Sequence, residues 1–349
     1  MKKYFTGIVV LVALLSGTAA YIPGQVNPIE EDTTPIKVDT KLVTVPVMVS
    51  DQGGGSAKGL TKENFTVISD GRVQDIDFFA DVDEPMNVAL VIEATGCTYG
   101  VLEEIKRHAK QFVDKLLIGD RAIVVSYDDR VYVRAELTDD KSVLKRSIDD
   151  VRTKMITFRG SETPQGSDRP LFADALKKVA VEKFSTVLGR KAIILLNNDC
   201  FMQSRPSEVT DLLATFANSD TAVYSVYHRL LRPVLDDLLV YSGEEKIAKQ
   251  LRKKKVLTLE NLLLIPRVND FAVISTATGG KIFTADHTDL NVAFEQIAVE
   301  LRTQYVIGFH VDGDTDASSR DISVTVNRPG LTVRTKQNIK LDQPAPVEK

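Results

Sequence analysis

Val88-Ala89-Leu90-Val91-Ile92-Glu93-Ala94-Thr95-Gly96-Cys97 is the stretch that decides the fold. Val88 to Ile92 is an unbroken apolar run of strand length, the pattern of a parallel-sheet strand buried on both faces. It stops at the short polar turn Glu93 to Cys97. Leu102, Ile105, Ala109, Phe112, Val113 and Leu116 then recur at helical spacing. Open α/β sheets bind ligands where strands end at their carboxyl edge, so this turn is the first place to look for function.

Strand and helix patterns alternate downstream. Ala122 to Ser126 hairpins with Val131 to Ala135, and a helix follows over Lys141 to Met155 with Val143, Leu144, Ile148 and Val151 inward. A polar loop, Arg159 to Asp168, precedes a helix over Leu171 to Val181. The buried strand Ala192 to Leu196 ends in Asn197-Asn198-Asp199-Cys200. Helix Glu208 to Ala217, strand Thr221 to Tyr227, a helix from Val268 to Thr278 stopped by Gly279-Gly280, strand Ile282 to Thr284 and helix Leu290 to Leu301 complete the series. This alternation predicts an α/β domain over residues 85–303, with a doubly wound, Rossmann-like, mostly parallel sheet. Residues 229–266 read as an insertion over the strand ends. It carries Lys246, Lys249, Arg252, Lys253, Lys254 and Lys255, which read as a solvated helical face, with membrane-surface contact through Lys246–Lys255 the less favoured alternative.

Upstream, Val43, Val45, Val47 and Val49 alternate along a half-buried strand, Leu42 to Ser50, and Pro46 inside it argues for an edge position. Phe65 to Ser69 and Val73 to Phe79 flank the hairpin signal Asp70-Gly71. Strand patterns return at Tyr305 to Val311, Ile322 to Val326 and Leu331 to Thr335. The flanks, 36–84 and 304–340, are expected to pack together as a small accessory β-sheet, because the termini of such domains lie near each other. Residues 341–349 read as a disordered tail.

The 349-residue chain has a net charge of -4, with 43% hydrophobic and 26% charged residues, ordinary values for a globular protein. They provide no global case for nucleic acid or an anionic membrane as partner. Lys2-Lys3, the apolar run Phe5 to Leu15 and the small residues Ser16 to Ala20 have the order of a secretory signal peptide, residues 1–20, cleaved after Ala20. An uncleaved anchor is the alternative. A Pro-containing linker covers 21–35. Export to the periplasm or the medium is therefore expected, and it makes the two cysteines, Cys97 and Cys200, candidates for a disulfide.

Several stretches resemble a bacterial extracytoplasmic, Acidobacteria-type group of von Willebrand factor type A proteins. They are Val43 to Val47, Gly59 to Phe65, the Asp70-Gly71 hairpin, Phe294 to Arg302 running into Gln304 to Phe309, and Val326 to Arg334. The resemblance implies a sheet whose carboxyl edge holds a divalent cation in an Asp-x-Ser-x-Ser turn, helped by a Thr and an Asp from later loops. Here the turn positions fall on Glu93, Thr95 and Cys97. The Thr position falls among Ser167, Asp168 and Arg169, ahead of Leu171-Phe172, and the last Asp position falls on Asn198, next to Asp199. Glu93 keeps the charge but is a methylene longer, and Cys97 is a soft ligand poorly matched to magnesium. The implied site is degenerate: Glu93, Thr95, Asn198 and Asp199 are the metal ligands if any metal binds. Arg169 is the candidate to occupy the cation's space and pair with Glu93. Because the first and fourth strands of this fold are neighbours, Cys97 and Cys200 could bridge the old site, closing a loop of about 100 residues.

The four histidines, His108, His228, His287 and His310, show no metal-ligand spacing and read as surface or packing residues. No Gly-x-Gly-x-x-Gly or phosphate-loop motif and no Gly-x-Ser-x-Gly elbow follows any strand, which argues against an enzyme. Asp128-Asp129 and Asp139-Asp140 read as solvated turn and cap residues. The expected function is non-catalytic protein binding, as an adhesion or scaffold module, through the carboxyl edge, with metal dependence weakened or lost and no cofactor. The alternatives are a permanent structural subunit of a cell-envelope complex and a still magnesium-dependent adhesion domain.

Overall fold

A computed structural model describes residues 40–53, 55–80, 85–95, 98, 100–153, 171–198, 206–228, 246, 249–250, 253, 266–285, 290–312 and 319–340. The chain enters through β1 (Thr40–Asp51), β2 (Phe65–Ser69), β3 (Arg72–Gln74) and β4 (Phe78–Ala80). It continues through β5 (Met86–Glu93), α1 (Leu102–Asp114), β6 (Arg121–Tyr127), β7 (Val131–Thr138) and α2 (Lys141–Asp149). Next come α3 (Phe172–Lys177), a π-helical turn (Lys178–Lys183), β8 (Arg190–Asn197), α4 (Pro206–Ala217) and β9 (Thr221–His228). The order ends with α5 (Pro266–Ala277), β10 (Ile282–Ala285), α6 (Leu290–Arg302), β11 (Tyr305–Asp312), β12 (Ser319–Val326), β13 (Leu331–Thr335) and β14 (Asn338–Lys340).

The central sheet has the order β10-β9-β8-β5-β6-β7, parallel throughout except for β7. β5 is buried at every position, as its continuous apolar run requires. Val88, Leu90 and Ile92 face a core built with α1, α2 and α6, while Ala89 and Val91 face Phe172, Leu176, Leu212 and Phe271 from α3, α4 and α5. From β5 the chain winds one way through β6 and β7, then the other way through β8, β9 and β10. The topological switch point therefore lies between the carboxyl ends of β5 and β8.

Helix ends are closed by buried cations. Lys106 on α1 donates to the carbonyls of Asp149 and Val151 at the end of α2. This tie stops α2 at Asp149, short of the Met155 end expected from periodicity, while Val151 still packs inward. Arg190 donates to the Leu301 carbonyl at 2.6 Å. These are favourable placements of positive charge at helix C-termini. The helix expected over Leu171 to Val181 runs instead as α3 followed by the π-helical turn. At the start of α2, the Asp140 carboxylate accepts from the Ser142 and Val143 amides at 2.8 and 3.1 Å. The Ser142 hydroxyl first, then those two amides, hold the Asp140 carboxyl below its usual value. A folded value below the unfolded one adds stability that is full above the unfolded carboxylate pKa, about 3.9, and is lost as pH falls through the folded value. Asp140→Ala is therefore expected to melt lower than the parent at pH 7, with the gap narrowing in melts recorded below about pH 4.

The flanks form two four-stranded sheets, β13-β1-β11-β4 and β14-β12-β2-β3, where a single sheet was expected. Val45, Val47, Tyr305, Ile307 and Phe309 from one sheet share a core with Phe65, Val67, Ile322 and Val324 from the other, making a sandwich. The run Val73 to Phe79 splits at Asp75–Asp77, so that β3 pairs with β2 and β4 crosses to β11. Asp70 and Gly71 both have positive φ, 48° and 75°, the geometry of the expected tight hairpin turn. Pro46 is not on an edge strand, since β1 pairs with β11 on one side and β13 on the other. Proline is tolerated because the β13 pairing ends at Val47↔Thr335, one residue short of it.

Sandwich and central sheet are tied together. Lys336 Nζ donates to the Ala217 and Ser219 carbonyls at the end of α4. Glu300 on α6 accepts from Lys281 at 2.7 Å and from Arg334 of β13 at 2.5 Å. Beside that carboxylate the enclosed Tyr224 phenol is pushed above its ordinary range, by burial first and by the Glu300 charge second. No described helix is long and apolar enough to cross a membrane.

Candidate functional site at the carboxyl edge of the central sheet

β5 ends at Glu93, opposite Tyr127 of β6, and the Ala94 amide donates to the Tyr127 carbonyl at 2.8 Å. Thr98 then folds the chain back, its hydroxyl and amide both donating to the Thr95 carbonyl, and the turn feeds α1. The Thr95 hydroxyl donates to Glu93 Oε1 at 2.7 Å, and the Asn198 amide donates to Glu93 Oε2 at 2.9 Å. The side chain of Glu93 thus spans the switch point, joining the end of β5 to the end of β8. Glu93 is 3% exposed, and Thr95 and Asn198 are wholly buried.

Of the sequence-derived site residues, Glu93, Thr95 and Asn198 are brought together. Cys97, Ser167, Asp168, Arg169, Asp199 and Cys200 lie outside the described residues, as do His287, residues 1–39 with the expected signal peptide and linker, most of 229–266, and the tail. Within the basic stretch only Lys246, Lys249, Gln250 and Lys253 are described.

Two further features gather here. Asp128 is buried rather than solvated: its carboxylate accepts from the Arg130 amide at 2.8 Å and its carbonyl from the Leu171 amide at 2.9 Å. It belongs to the carboxyl edge because it follows β6, a signal readable from the strand pattern alone. The other feature is a carboxylate between two imidazoles. Glu104 lies 3.9 Å from His108 Nε2 and 3.8 Å from His228 Nε2, and His108 Nδ1 meets Asn291 Oδ1 at 2.7 Å. His108 and His228 are buried, whereas His310 is exposed and pairs with Asp77. No periodicity announces this cluster, since it joins α1, β9 and α6. Among the described residues no group of three or more His, Cys, Asp or Glu side chains is arranged to hold a metal ion.

The strand order and the polar turn at the switch point define the central module as a doubly wound, mostly parallel α/β sheet. No protein-family model and no curated protein matches the sequence. Among solved structures, the chain is similar to the vWF domain of the type V pili tip protein Mfa5 from Porphyromonas gingivalis, at 13% identity and a TM-score of 0.39, covering 62% of this chain and 94% of that one. It is similar to a von Willebrand factor type A protein from Catenulispora acidiphila at 10% identity and a TM-score of 0.42, covering 87% and 74%. It is also similar to proximal thread matrix protein 1 of the mussel byssus, with a zinc-occupied MIDAS motif in that protein, at 16% identity and a TM-score of 0.42. The likeness covers 67% of this chain and 50% of the mussel protein.

Proposed function

We propose that the chain is a non-catalytic, extracytoplasmic protein-binding module, an adhesion or scaffold unit that meets its partner through the carboxyl edge of the central sheet without depending on a metal. The observation that carries this reading is the switch point itself: a polar turn sits where doubly wound sheets bind, with its Glu93 carboxylate accepting from protein donors. The lack of a phosphate loop or nucleophile elbow after any strand supports a non-catalytic role. In this reading Arg169 neutralises Glu93 and Cys97 pairs with Cys200. Mass spectrometry of the unreduced protein, finding both thiols alkylatable, would end the disulfide part.

The test is affinity capture from a cell-envelope extract of the source organism, in magnesium and in EDTA. The same specific partner is expected in both. Arg130→Glu places a reversed charge on the exposed rim of the carboxyl edge and is expected to weaken capture about tenfold or more. Ile118→Glu, at the fully exposed opposite end of the sheet, is expected to leave it unchanged. Capture lost in Ile118→Glu and kept in Arg130→Glu would move the binding surface off the carboxyl edge.

A further inference from the structure

We infer that the switch-point crevice is closed to divalent cations by the protein's own donors, with Glu93 acting as a staple between β5 and β8 rather than as a metal ligand. The inference deepens the carboxyl-edge reading above and rests on it. The residues present do not fit the cation that the fold family implies.

A magnesium-like ion wants near-octahedral oxygen coordination and keeps several waters, and an adhesion ion must also leave a position open to the partner. Glu93 already has a lone pair on each oxygen taken by a protein donor. Its extra methylene carries the carboxylate across the crevice, where Oε1 accepts from the Thr95 hydroxyl and Oε2 accepts from the Asn198 backbone amide. Both are charge-assisted hydrogen bonds, the stronger kind. Glu93, Thr95 and Asn198 are at most 3% exposed, so none of them presents a ligand atom at the surface.

A neighbouring buried side chain, Asn197, is also poorly matched to a cation. Asn197 ends β8 one step past the Ile92↔Leu196 pair, beside Glu93, and is wholly buried. Among the described residues its Nδ2 and Oδ1 find no hydrogen-bond partner. A cation suits only the oxygen and leaves the buried amide hydrogens unpaired. A single water satisfies both ends, accepting from Nδ2 and donating to Oδ1. The crevice therefore recognises its partner without a metal-bridged carboxylate.

Thermal melts of the full chain in millimolar MgCl2, in MnCl2 and in EDTA test this. The three wild-type curves are expected to superpose. Glu93→Gln keeps the shape of the side chain but loses its charge; it is expected to melt lower, again without response to metal. Where Glu93→Gln fails to fold, Thr95→Val serves the same comparison. A saturable rise of more than about 3 °C in wild type, abolished in the variant, would overturn the inference. The two ideas fail separately. Metal-responsive melts with capture intact sink only the closed crevice; superposed melts with no edge-dependent capture sink only the binding function.

Discussion

Gly280→Ala is expected to cost about 3–5 kcal/mol of stability, enough to leave much of the protein unfolded or insoluble. A Cβ at this position would lie 2.0 Å from the Val223 carbonyl oxygen and 2.7 Å from its carbon. The obstacle is the backbone of β9, a strand held by β8 on one side and β10 on the other, not the movable tip of a side chain. Relief requires lifting β10 away and breaking its register, which starts at Ile282↔Ser225, or shifting β9 within the sheet. The neighbouring contacts leave little slack, because Val223 donates to the Thr278 hydroxyl at 3.0 Å and Ser225 to the Lys281 carbonyl at 3.2 Å. Urea denaturation followed by far-ultraviolet circular dichroism measures the loss. Gly100→Ala is the control: a Cβ there meets no atom within 4 Å, and its midpoint is expected within about 0.5 kcal/mol of the parent. An unchanged midpoint in Gly280→Ala would mean that the α5–β10 connection does not approach β9 this closely in solution.

The second large effect belongs to the sandwich. Tyr305→Ala is expected to destabilise by about 3–5 kcal/mol, the range for removing a buried aromatic side chain. Tyr305 is wholly buried and its ring lies 5.3 Å from Phe65 and 5.7 Å from Phe79. Those neighbours come from both sheets, so the cavity would open at their shared core. The hydroxyl accepts from the Leu60 amide at 3.2 Å and donates to the Ala57 carbonyl at 3.1 Å, holding down the connection from β1 to β2. Tyr305→Phe removes only that tie and is expected to cost about 1–2 kcal/mol. The difference between the two variants separates ring packing from hydrogen bonding. Equal midpoints for Tyr305→Phe and Tyr305→Ala would show that the ring contributes nothing beyond its hydroxyl.

Elements whose burial is written into a local period were legible without the structure. Val88 to Ile92 and Ala192 to Leu196 are apolar on both faces, and Thr221 to Tyr227 is buried on both, because helices cover both sides of their sheet. The valine alternation of β1 marks a strand, but its middle, Val45 to Val49, is buried on both faces. The limits of α2, the split between β3 and β4 and the interior place of Pro46 were not legible. Each depends on where a distant segment stops: Lys106 at the end of α2, the crossing of β4 to β11, and the last pair of β13. The sheet count failed for a related reason. Alternating strands announce a buried face, but not whether a second sheet or a helix buries it.

At the site, the sequence alone determined the place: a strand burying both faces, ending in a polar turn, in a chain that alternates strand and helix. It also determined the side-chain chemistry used there, a carboxylate at 93 and a hydroxyl at 95; the third group, at 198, is a backbone amide. Only the tertiary structure decided what the carboxylate does. The Asn198 amide that reaches Glu93 is 105 positions away, and it arrives because the chain reverses its winding direction between β5 and β8. The same holds for the Glu104–His108–His228 cluster and for the Lys336 tie to α4. Local pattern encodes which face of an element leaves water. The partner a buried polar group finds there is set by strands and helices far along the chain, and no short-range period carries that information.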